Sequence, residues 1–121
     1  MKEYIKVLMV EPNKAPYTKE IKNDLKTMQN MVGGFIEYIG LNGSALAIVN
    51  EEGKIMGLPL NRGIGRNGKV FDIIFGNMII AGVDGCDFGD LSDEDIETYT
   101  EMFKKPTPRV VMNWIDEVWN G

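Results

Sequence analysis

The sequence predicts an α+β domain, with a largely antiparallel sheet of about five to six strands, one early helix and two C-terminal helices. Three observations predict it. Short β-branched and aromatic runs are joined by Gly/Asn turns of hairpin type. Apolar residues at helical spacing occur only between Asn23 and Val32 and in the last third of the chain. At 121 residues the chain is one domain, able to bury about two-thirds of its unfolded surface without a metal or disulfide.

"YIKVLMV" (4–10) is a strand apolar on both faces, with Ile5, Val7 and Met9 on one and Tyr4, Leu8 and Val10 on the other, which marks a central position. The two prolines of "EPNKAP" (11–16) make it a loop, and "YTKEI" (17–21) is a short edge strand. Asn23 reads as a helix N-cap, with Asp24 in the first turn and Leu25, Met28 and Val32 on one stripe. Gly33-Gly34 stops that helix, because glycine accepts the left-handed conformation after a last turn.

"FIEYIG" (35–40), "ALAIVN" (45–50) and "KIMGLPL" (54–60) read as successive strands of an antiparallel meander, joined by "LNGS" and "EEG". "RNGK" (66–69) is a tight hairpin turn. In "VFDIIFGNMIIAGV" (70–83), Gly76-Asn77 marks a break before a buried strand over 78–83. Ser92 with Asp95 forms a capping box, opening a helix to about Lys105 with Ile96, Tyr99 and Phe103 inward. Beyond Pro106 and Pro108, Val111, Trp114, Ile115, Val118 and Trp119 fall at helical spacing, giving a terminal helix whose tryptophans pack on the sheet or present a patch to a partner.

Composition excludes several functions. The net charge of −5 is unevenly placed: residues 1–83 hold ten basic and eight acidic residues, residues 84–121 three and ten. No basic run serves nucleic acid, so no direct nucleic-acid binding is expected. Apolar runs fall short of a membrane span, and the single Cys86 forms no internal disulfide, which together point to a cytoplasmic protein. Histidine is absent, which removes the commonest general base and most zinc sites. The aspartates Asp84, Asp87 and Asp90 miss the calcium-loop spacing. No metal and no cofactor is expected. The Gly63-x-Gly65-x-x-Gly68 spacing leads into "KVFDIIF" rather than into a capped helix, so it reads as a turn and not a dinucleotide loop.

One polar constellation stands out. Pro59 stiffens a strand end, and Asn61-Arg62 follows in a glycine-rich loop with Asp72 beyond the turn. An arginine fork binds carboxylate or phosphate through paired hydrogen bonds. Asn61, Arg62 and Asp72 are therefore the candidate ligand-binding residues; the alternative is an internal Arg62–Asp72 ion pair. Glu11, Glu37 and Asp72 are the carboxylates in or beside apolar strands.

"MVGGFIEYI", "AIVNEEGKIMGLPLNR" and "DIIFGNMIIAG", in that order, resemble the family called domain of unknown function 3846, from about Lys6 to Leu91. The resemblance implies a small cytoplasmic protein of bacteria, phages or mobile elements and no particular reaction; "RVVMNWIDEVWN" departs from it. The expected function is that of an accessory protein, a non-enzymatic binder of a small anionic ligand or a host protein. The alternatives are a small carboxylate-dependent hydrolase of a phosphorylated substrate, marked by a pocket with two close carboxylates of shifted pKa, and an acidic DNA mimic.

Overall fold

The computed structural model describes residues 2–66 and 69–106. Eight strands and two helices are described: β1 (Tyr4–Val10), β2 (Tyr17–Lys22), α1 (Leu25–Val32), β3 (Ile36–Asn42), β4 (Ala45–Asn50), β5 (Leu60–Arg66), β6 (Lys69–Phe75), β7 (Met78–Asp84), β8 (Asp87–Gly89) and α2 (Asp93–Phe103). Six strands form one antiparallel sheet in the order β2-β1-β7-β4-β3, with β8 also on β7; β5 and β6 pair as a separate hairpin.

Both faces of the sheet are covered, which is why β1, β4 and β7 are apolar on both sides. On one face Ile5, Val7, Met9, Ile48, Ile79 and Ala81 pack with Met28 and Val32 of α1. On the other, Leu8, Val10, Ala47, Val49, Met78 and Ile80 pack with Ile64 and Ile74 of the hairpin and with Tyr99 and Phe103 of α2. The α+β class and the antiparallel sheet agree with the sequence, as does the alternation within β1.

Local signals act where expected. Gly33 has φ +83° and closes α1, its N–H donating to Gln29 O at 2.8 Å. Gly76, at φ +87°, separates β6 from β7. Ser92 Oγ accepts from Asp95 N–H at 3.1 Å to cap α2. Asp95 is itself buried, accepting from Ser44 Oγ at 2.7 Å and Asn42 Nδ2 at 3.1 Å, and so ties α2 to the β3–β4 turn.

Five expectations need correction. The N-cap of α1 is Asp24, whose carboxylate accepts from Thr27 N–H at 2.7 Å; Asn23 instead donates to the carbonyls of Lys2 and Phe88. Leu25 is exposed and leaves the inner stripe to Met28 and Val32. Residues 54–60 are not a strand: 51–57 are turn, with Gly57 at φ +75°, and β5 begins only at Leu60. The meander is broken, since β4 pairs with β7 on its second side. β4 is buried on both faces, and a strand of that kind is completed by another apolar strand, here the 78–82 run. Finally, Asp87–Gly89, read as an acidic loop, adds the short β8 to β7. Of the two C-terminal helices α2 is present. The second, with Trp114 and Trp119, lies outside the described residues, as do Asn67 and Gly68 of the hairpin turn, although Arg66 and Lys69 pair on either side of it.

Candidate functional site

Arg62 and Asn61 lie inside the protein. Arg62 is 1% exposed and stands on β5 opposite Ile74, on the face turned to the α2 side of the core. Its Nε donates to Phe103 O at 3.3 Å and its Nη2 to Phe103 O at 3.0 Å and Lys14 O at 2.6 Å. Nη1 donates to Asn61 Oδ1 at 2.8 Å, Asn61 O at 3.2 Å and Glu11 O at 3.5 Å. These acceptors are carbonyls and none is a carboxylate. Phe103 ends α2, so the guanidinium sits at the negative end of that helix dipole, which offsets part of the cost of burying a charge. Burial holds the Arg62 pKa below its ordinary value.

Asn61 completes the knot, its Nδ2 donating to Val10 O and Gly76 O, each at 2.8 Å. The pair ties the hairpin to the loop after β1, the β6–β7 break and the end of α2. Asp72 is not its partner. It pairs across the hairpin with Ile64, and its Oδ1 accepts from Ile73 N–H at 2.9 Å. The structure thus brings Asn61 and Arg62 together in the interior and sets Asp72 apart.

Asp72 instead joins Glu37 and Glu51 around an open depression of about 230 Å³, lined also by Lys54, Val49 and Phe75. The β3–β4 ladder puts Glu37 opposite Val49, and Glu51 follows directly, its N–H donating to Phe35 O at 2.8 Å. Gly53 lets the 51–57 turn approach β6, since a Cβ there would stand 2.5 Å from Phe75 O. Glu37 has a raised pKa, first through partial loss of solvent and then through the charges of Asp72 and Glu51. Asp72 is also raised, by burial, against the opposing Ile73 hydrogen bond. Three carboxylates and one ammonium leave the depression negative. Its volume suits the end of one side chain more than a cofactor, whose sites run from about 300 Å³ upward.

The remaining candidates resolve into structural roles. Glu11 accepts from the Tyr17 hydroxyl, Asp90 pairs with Lys2 and accepts the Lys6 N–H, and Asp93 pairs with Lys6. Cys86 is exposed in the β7–β8 turn. Among the described residues no group of three or more Cys, Asp or Glu side chains is arranged to hold a metal, and no helix is long and apolar enough to cross a membrane. Sequence reasoning named Glu37 and Asp72 separately but missed Glu51 and Lys54. Glycine 53 between two polar turn residues was the available signal, and it identifies a close approach only once β6 is in place.

No curated protein and no solved structure matches the chain. A family model does, over residues 5–104, which takes in the described elements from β1 to α2 except Tyr4, the first residue of β1. The chain belongs to the DUF3846 family, a domain of unknown function.

Proposed function

We propose that the protein is a non-enzymatic binding module, an accessory protein of a phage or mobile element. It takes a cationic side chain of a host protein into the depression formed by Glu37, Glu51 and Asp72. The observation that carries this reading is the convergence of three carboxylates from β3, the 51–57 turn and β6 on one open depression. An ammonium or guanidinium there offsets the partial loss of solvent, and then the charges of Asp72 and Glu51, that raise the Glu37 pKa. A small anionic ligand is the weaker choice, because Arg62 and Asn61 donate inward to carbonyls.

The same raised carboxyl pair favours a second reading, carboxylate-dependent hydrolysis. Negative charge around the pair disfavours a phosphorylated substrate, which fits poorly without a counter-cation. The DNA-mimic reading is weakened by Asp95, which is buried and accepts from Ser44 and Asn42, and by Asp90, which pairs with Lys2.

The test is a titration of isotope-labelled protein with N-acetyl-lysine amide and N-acetyl-arginine amide, followed by amide chemical shifts. Shifts centred on Glu37, Glu51 and Asp72, reduced by salt and lost in Glu37→Gln/Asp72→Asn, are expected. Shifts with inorganic phosphate and none with the cations would overturn the reading.

A further inference from the structure

The two outer edges of the sheet are built differently. β2 carries Lys19, Glu20 and Lys22, charges that discourage pairing with another strand. At the other edge stand Phe35 and Tyr38, 70% and 67% exposed. The ladder phase tells which backbone groups face outward. Glu51 N–H donates to Phe35 O, so Phe35/Glu51 and, two residues on, Glu37/Val49 are hydrogen-bonded pairs. Ile36 and Tyr38 therefore turn their N–H and C=O groups away from β4.

Two depressions flank this stretch, one toward each face of the sheet. The acidic one lies on the hairpin side, with Glu37 and Asp72 in its wall. The other, about 570 Å³, lies at the C-terminal end of α1 and is lined by Asn30, Gly33, Phe35, Asn50 and Met56. Asn50 lines both. Beside the second, Ile55 and Met56 are 85% and 51% exposed, an apolar patch on a turn that folding alone does not require.

We infer that residues 35–38 accept an extended segment of a partner protein as an added strand, with apolar side chains over Tyr38 and Met56 and basic ones at Glu37 and Asp72. Successive side chains of a strand point to opposite faces, so a segment alternating apolar and basic residues fills both depressions at once. The two outward N–H and two outward C=O groups set its register. The basic half of this inference rests on the cation-binding reading above; the added strand and the apolar half do not.

The probes are blocked peptides of valine and lysine: one alternating, one of equal composition with the lysines grouped, and an alternating one N-methylated on the groups that pair. N-acetyl-lysine amide serves as the reference cation. The alternating peptide is expected to bind about tenfold or more tighter than the grouped one and to slow hydrogen exchange at the Ile36 and Tyr38 amides. N-methylation should abolish the difference. Tyr38→Pro, which removes an outward N–H at an edge where proline is tolerated, should lose the peptide and retain the lysine derivative. Equal affinity of the alternating and grouped peptides, or unchanged exchange at Ile36 and Tyr38, overturns the added strand. If the lysine derivative still shifts Glu37 and Asp72 in that case, the cation-binding reading survives alone. If it does not, both fall.

Discussion

Arg62→Ala should be among the most damaging single changes to this protein, although no carboxylate among the described residues pairs with the side chain. Truncation removes six hydrogen bonds and strands carbonyls of Glu11, Lys14, Asn61 and Phe103. A buried acceptor left without a donor costs about 1–3 kcal/mol, and bonds to a charged donor lie toward the upper end. Water reaches Glu11 and Lys14 from the loop side, where the contacts are only partly buried, and recovers part of that cost. Phe103 O recovers least, because both its guanidinium bonds are buried. Relief from desolving a charge offsets some of the remainder, so the net loss should be about 3–5 kcal/mol. Domains of this kind carry about 5–15 kcal/mol in all, and the variant should therefore unfold at markedly lower denaturant. Arg62→Lys keeps the charge but not the fork, and should lose about half as much. Urea titration followed by far-ultraviolet circular dichroism measures both. A loss for Arg62→Ala below about 1 kcal/mol, the range of an exposed ionic side chain, would refute the knot.

Asp72 should behave in the opposite way. Its folded pKa stands above the ordinary 3.8, so the folded state binds the proton more tightly and stability falls as pH rises from the ordinary value through the raised one. Asp72→Asn should therefore match the wild type in acid and become relatively more stable toward neutral pH; urea midpoints across that range check it, and a widening deficit would contradict it. Gly82→Ala should destabilise by about 1–3 kcal/mol or more, because its Cβ would lie 2.0 Å from Asp90 O on the neighbouring backbone; thermal melting within experimental error of wild type would count against the β7–β8 packing. Ser92→Ala removes the α2 cap and should cost about 1 kcal/mol, measured by chemical denaturation, with no loss expected only if another group caps Asp95 N–H.

The candidate site was legible only in fragments. Glu37 and Asp72 stood out as carboxylates in apolar strands, yet 35 positions of chain separate them, and their meeting depends on β6 crossing beside β4. Arg62 drew notice for the right reason, a fork of donors in a stiffened segment, but sequence offers no way to see that the acceptors are carbonyls. Every backbone has carbonyls, and only those of Phe103, Lys14, Glu11 and Asn61 converge.

What the sequence determined by itself is local. The Ser92 cap, the left-handed Gly33, the Gly76 break and the two-faced apolar alternation of β1 each depend on one or a few neighbouring residues, and each appears in the structure. Ile55 and Met56 show the limit, since apolar residues in a strand-like pattern ended exposed on a turn. Strand order, the inward aim of Arg62 and the acidic depression were decided by tertiary structure. Pairing β4 with β7 buries two strands that are apolar on both faces, a gain that exists only when residues some thirty positions apart are brought together. No local propensity encodes that gain, because the hydrophobic effect rewards area removed from water without regard to where in the chain it comes from.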